Sequence, residues 1–212
     1  MKRRFVAAKF DAQFEGPLCG LDEVGRAPLA GPVVAGCIFI PPENENNRVW
    51  RYINDSKRLT HEIRESLYDD IAGNSFHGIG AVEPIEIDKI NIHHASLLAM
   101  TRAYEQMIAS MPEGLVNALA LVDGKFAPKL PCRIQTVIKG DGLSLRIGAA
   151  SILAKVWRDR LMANLHAEYP MYGWNRNAGY PVPLHLAAIK DHGITEYHRK
   201  SFAPCQQFAL PL

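Results

Sequence analysis

From Leu115 to Val122 the chain is almost unbroken in apolar side chains, and it stops at Asp123-Gly124. An apolar run of this length closed by a turn dipeptide predicts a strand buried on both faces. Such a strand needs a sheet around it and helices over both sides. The remaining pattern supplies them. Residues 17–24 and 32–40 are rich in β-favouring side chains with Gly25 to Gly31 between them, which predicts an antiparallel hairpin with an irregular turn. Phe76–Val82 and Arg133–Ile138 read as further strands.

Helical spacing marks His61–Ala72, where Ile63, Leu67 and Ile71 follow Thr60 as N-cap. It marks Ala95–Met111 through Leu97, Leu98, Ala99, Tyr104, Met107 and Ile108, with Pro112 as the stop. Two more helices are expected at Ile147–Tyr169 and Leu184–Asp191. The fold class is therefore α/β: a mixed sheet flanked by helices, with a C-terminal helical region. The expected division is a core over 1–169, the helical region over 170–205 and a tail over 206–212.

Composition narrows the class of activity. Apolar residues make up 48% and charged residues 22% of the 212, with a net charge of +2, so no polybasic tract marks a nucleic-acid partner. Any such binding has to come from a local patch. Cys19, Cys37, Cys132 and Cys205 lack zinc-site spacing, and the first two lie in apolar runs that suit buried reduced thiols. No apolar segment reaches membrane-spanning length, so a cytoplasmic protein without a membrane partner is expected.

Four acids at three places stand apart from the helix-face and loop acids. Asp22 and Glu23 end an apolar strand, Asp123 ends the 115–122 run, and Asp141 follows the 133–138 strand. Carboxylates at strand ends can converge at one sheet edge, where four together stay ionised only if cations neutralise them. Hard divalent ions with oxygen ligands, Mg²⁺ or Mn²⁺, suit such a cluster. Asp123-Gly124 and Asp141-Gly142 are equally good turn dipeptides, and position alone leaves both readings open.

The stretch G-L-D-E-V-G-R-A-P-L-A-G-P-V-V-A resembles the opening signature of the type 2 ribonucleases H, specifically bacterial ribonuclease HII. N-D-S-K-R-L-T (54–60), L-V-D-G (121–124), I-K-G-D (138–141), A-A-S-I-L-A-K-V-W-R-D-R (149–160) and H-R-K-S-F-A-P (198–204) resemble further motifs of that family, in its order. The resemblance covers Gly16 to Pro204. It implies an RNase H-like fold and endonucleolytic cleavage of RNA in RNA–DNA hybrids, including at single ribonucleotides embedded in duplex DNA. The cut is expected 5′ to the ribonucleotide, leaving 3′-hydroxyl and 5′-phosphate ends, by two-metal-ion catalysis. The protein is expected to work as a monomer.

By motif, Asp22, Glu23, Asp123 and Asp141 carry over as catalytic and metal-binding acids. Asp159, between Arg158 and Arg160, reads as ion-paired. A Gly-Arg-Gly turn that reads the 2′-hydroxyl in the family corresponds to Gly25, Arg26 and Ala27, and a tyrosine set against the sugar corresponds to Tyr180. Arg26, Lys57 and Lys139 suit phosphate contacts, although a solvated surface charge explains each lysine as well.

Two departures stand out. Ala27 replaces a glycine, at a cost of about 1–2 kcal/mol if that position needs a positive φ. Asn177-Ala178 and Val182 replace a His-Lys pair and a threonine around Gly-Tyr, which implies an altered preference at junctions. A hybrid-binding protein without catalysis is the rival reading, though an acid cluster facing phosphates would serve a mere binder poorly. The tail Gln207–Leu212 resembles the short peptides that dock on sliding clamps, with packing on its own domain or plain disorder as the alternatives.

Overall fold

The computed structural model describes residues 6–53, 60–112 and 118–209. A short helix α1 (Val6–Asp11) leads into strand β1 (Leu18–Val24), which turns back antiparallel as β2 (Val33–Phe39), the hairpin expected from the sequence. Helix α2 (His61–Gly73), strand β3 (Phe76–Val82) and helix α3 (Pro84–Ser110) follow. Strands β4 (Leu119–Asp123) and β5 (Ile134–Val137) then precede the long helix α4 (Leu145–Glu168). Three helices close the chain: α5 (Trp174–Asn177), α6 (Pro183–His192) and α7 (Ala203–Ala209). Residues 115–117 of the expected buried strand lie outside the described residues.

The sheet order is β3-β2-β1-β4-β5. β1, β2 and β3 pair antiparallel, while β1, β4 and β5 run parallel, so the sheet is mixed as expected. Strand alternation divides its faces. Cys19, Leu21, Val33, Ala35 and Cys37 pack against Ala95, Ala99, Ala103 and Met107 of α3. On the other face Ile38 meets Ala149, Ala150, Ile152 and Leu153 of α4. Gly36 lies on that second face, and a Cβ there would run into the Ala150 carbonyl oxygen. The α4 backbone therefore lies directly on the strand, beside Asp22, the residue paired with Gly36.

Local signals explain most boundaries. The Thr60 hydroxyl accepts from the Ile63 N–H at 3.4 Å and starts α2. Helix α3 begins at Pro84, well before the expected Ala95. The reason is a break at Asn91, which sits at φ 62° and ψ 164° and whose Oδ1 accepts from the N–H groups of His93 and His94. Asn91 thus caps a second helical segment, the one whose apolar spacing the sequence displays. All four cysteines are free, and Cys19 and Cys37 are buried as expected.

The C-terminal helices do not stand off from the core. Tyr172, Trp174, Ala188, Ile189 and Cys205 pack with Met162 and Leu165 of α4 and with Leu29 and Ala30 of the hairpin connection. That places the last 40 or so residues against the loop that follows Asp22 and Glu23. No helix among the described residues is long and apolar enough to cross a membrane.

Candidate active site

The parallel register of β1 and β4 pairs Leu21 with Val122, so Asp22 and Asp123 come next, side by side, at the C-terminal ends of adjacent strands. β5 adds the third position. Past its end Lys139 takes a left-handed conformation (φ 58°, ψ 40°), which turns the chain into a short 3₁₀ turn over Gly140–Gly142. That turn buries Asp141 and points the Gly140 N–H at Asp123 Oδ1, 2.6 Å away. The Glu23 N–H donates to Asp22 Oδ1 at 2.8 Å. The four acids singled out in the sequence meet at one edge of the sheet.

Electrostatically the cluster is under stress. Burial pushes the Asp22 carboxyl well above its ordinary range, and repulsion from Glu23, Asp123 and Asp141 adds to it. Glu23 is raised mainly by burial, with the Arg26 guanidinium opposing at 3.1 Å. Asp123 is raised by burial too, with the Gly140 N–H holding it down. Glu23 Oε2 is buried with no hydrogen-bond partner. Among the described residues no three acidic, histidine or cysteine side chains are gathered closely enough to hold one ion. The donor set and the orphaned Glu23 oxygen fit a hard divalent cation.

Asp22, Glu23 and Val24 line one cleft with Tyr180, Ser151, Lys155 and Arg64. Tyr180 is 38% exposed at its wall. Ser151 and Lys155 are four residues apart on α4 and share a face, a spacing visible in A-S-I-L-A-K but absent from the expected site residues. Asp159 is ion-paired as expected, but with different partners: Lys155 Nζ at 2.6 Å and Arg64 Nη2 at 3.9 Å. Adjacent helix positions face apart. Arg160 therefore reaches Glu65 instead, at 2.6 Å, and Arg158 turns inward.

Two buried arginines hold the turn after Glu23, and neither stood out in the sequence. Arg158 donates to the carbonyls of Pro32, Ala178 and Ala30, each at 2.9 Å. Arg199 donates to Gly31 from Nε (3.0 Å) and Nη2 (2.9 Å), to Arg26 at 2.8 Å and to Gly25 at 2.5 Å. Burial lowers the first guanidinium to about 10 and the second to about 9, so both stay charged near neutrality. Gly25 has φ 87°, and a Cβ there would strike the Arg158 side chain. Residue 25 must be glycine for both reasons.

Ala27 is not among the residues with positive φ, so the alanine carries no left-handed strain. Ala178 is, at φ 47°. Arg26 is held at Glu23, and Lys139 is exposed beside the Asp141 turn. Lys57 lies outside the described residues. In the tail, Gln207 and Phe208 belong to α7, and Leu210 to Leu212 lie outside the described residues.

The mixed sheet with helices on both faces and acids at adjoining strand ends places the chain in the RNase H-like class. The ribonuclease H2 of Pyrococcus horikoshii superposes with a TM-score of 0.69 at 26% identity, over 91% of this chain and 97% of that one. The ribonuclease HII of Paramagnetospirillum magneticum is 46% identical over 92% of this chain and 94% of its own length. That of Nitrosomonas europaea is 47% identical over 97% and 91%. The profile of the family described as Ribonuclease HII matches residues 19–205, and this chain belongs to that family. It is thus an endoribonuclease, a ribonuclease H of type 2 acting on the RNA strand of RNA–DNA hybrids. The alternative of a hybrid binder without catalysis gives way to that membership.

Proposed function

We propose that this enzyme also cuts duplex DNA on the 5′ side of an embedded ribonucleotide, leaving 3′-hydroxyl and 5′-phosphate ends. Asp22, Glu23, Asp123 and Asp141 would hold divalent cations, Mg²⁺ or Mn²⁺. The observation that carries this is the meeting of four carboxylates at one sheet edge, three of them with raised affinity for protons and one with an orphaned buried oxygen. Such cations, when bound, neutralise charge on the attacking and leaving oxygens of a phosphodiester.

The chain's own residues supply the rest. The Gly140 N–H fixes Asp123, and Arg26 steadies Glu23. The Gly25–Ala27 backbone, clamped by Arg199, would meet a 2′-hydroxyl, which both donates and accepts. Tyr180 faces the same cleft and would lie against the neighbouring sugar. Lys139, exposed next to the Asp141 turn, would meet a phosphate without reading sequence.

Nicking of a duplex carrying one ribonucleotide tests this. With Mg²⁺ or Mn²⁺ the product should carry a 3′-hydroxyl that a polymerase extends, and Asp123→Asn should lose at least about 10²-fold in rate. A cut on the 3′ side, or full rate in EDTA, would overturn the proposal.

The tail Gln207–Leu212 is proposed as a ligand for a sliding clamp, since Phe208 is partly exposed at the end of α7. Removal of residues 206–212 should abolish clamp capture and leave nicking of free duplex unchanged. Undiminished capture would remove the idea.

A further inference from the structure

Behind Tyr180 lies a pair of buried histidines, His185 and His198, whose Nε2 atoms face each other at 3.2 Å. Two ring nitrogens at that distance need one proton between them, and the surrounding groups decide which ring carries it. The Thr195 N–H donates to His198 Nδ1 at 2.9 Å, so that nitrogen is bare and the His198 proton sits on Nε2. His198 Nε2–H therefore donates to His185 Nε2. The same His185 nitrogen accepts from Trp174 Nε1–H at 3.1 Å. His185 must then carry its proton on Nδ1, which donates to the Tyr180 carbonyl oxygen at 2.9 Å. Each assignment forces the next, and one tautomer pair satisfies all four bonds. Burial disfavours the charged form of both rings, so the wiring persists near neutrality.

The segment that carries His198 also reaches the turn after Glu23. The Arg199 N–H donates to Leu29 O at 2.8 Å, and the Arg199 side chain holds the carbonyls of Gly25 and Arg26. The Leu29 N–H in turn donates to Gly179 O at 2.8 Å, next to Tyr180. One stretch of chain thus fastens both elements proposed to read the sugar.

We infer that His185 and His198 are positioning residues for substrate choice: their relay fixes the Tyr180 backbone, and so its ring, at the wall of the acid cleft. Preference at a ribonucleotide–deoxyribonucleotide junction then depends on two side chains that touch no substrate. This rests on Tyr180 lying against the sugar, as proposed above, and the experiment separates the two.

The test uses the full chain on two substrates, a single embedded ribonucleotide and a four-ribonucleotide stretch, with kcat and KM measured for each. The readout is the ratio of the two kcat/KM values, which a merely structural role would leave alone. Tyr180→Ala should change the ratio about 10-fold or more. His185→Gln keeps an amide near the Nε2 position but loses the donor to Tyr180, and should shift the ratio the same way by about 3- to 10-fold. His185→Asn places its amide near the Nδ1 position, restores that donor and should stay within about 2-fold of the parent. The double variant His185→Gln/Tyr180→Ala should shift no further than Tyr180→Ala alone.

If Tyr180→Ala moves the ratio and His185→Gln does not, or if His185→Gln slows both substrates equally, the inference is overturned. An unmoved ratio in Tyr180→Ala overturns instead the reading beneath it. Where His185→Gln does not fold at the assay temperature, His185→Leu takes its place. It removes the donor to the Tyr180 carbonyl outright, and an unmoved ratio there likewise overturns the inference.

Discussion

Asp22→Asn is expected to make the protein more stable without divalent ions and to abolish its activity. Asp22 is buried, and its neighbours Glu23, Asp123 and Asp141 all disfavour its charge. Its pKa is raised on folding, so between its ordinary value near 3.8 and the raised value the native state binds more protons than the unfolded state. Stability therefore falls as pH rises through that window, and the repulsion is in full force above it. Asparagine has no proton to lose there, and its oxygen still accepts the Glu23 N–H. The gain in EDTA at neutral pH should be about 1–2 kcal/mol, or roughly 2–8 °C in melting midpoint. The margin should shrink toward pH 4. A variant that melts below the parent in EDTA would show that the acids are not under mutual strain.

Arg199→Lys is expected to cost the most stability of any single conservative change discussed. The guanidinium is fully buried among backbone carbonyls of Gly25, Arg26 and Gly31. An ammonium cannot fork across three carbonyls, and those left behind are buried without donors. The loss should be about 3 kcal/mol, or roughly 6–12 °C by scanning calorimetry. Nicking at a single ribonucleotide should fall even at temperatures where the variant is folded, because the loosened turn is the one proposed to read the 2′-hydroxyl. A midpoint within a degree of the parent would show that the clamp contributes nothing.

Much of this was legible in the sequence because it lay in local patterns. Apolar runs ending in acids located the strand ends, and strand register did the rest, since pairing Leu21 with Val122 aligns Asp22 with Asp123. The start of α3 was not legible, since a break at Asn91 hides the first segment from any count of apolar spacing. The arginines were hidden for another reason. Arg158 and Arg199 sit in charged stretches that read as solvated surface, and all but one of their partners are carbonyls more than 100 residues away in the hairpin connection. His185 and His198 are likewise joined only by the fold of the C-terminal region. Backbone acceptors leave no mark on a sequence, so polar groups satisfied by them are the ones sequence reading misses.

Asp22, Glu23, Asp123 and Asp141 are proposed to act together on a divalent cation. Calorimetric titration of Mn²⁺ into the parent and into Asp22→Asn, Glu23→Gln, Asp123→Asn and Asp141→Asn measures it directly, apart from catalysis. Each substitution should weaken binding by at least about 10-fold. Equal affinity in all five proteins would contradict the account.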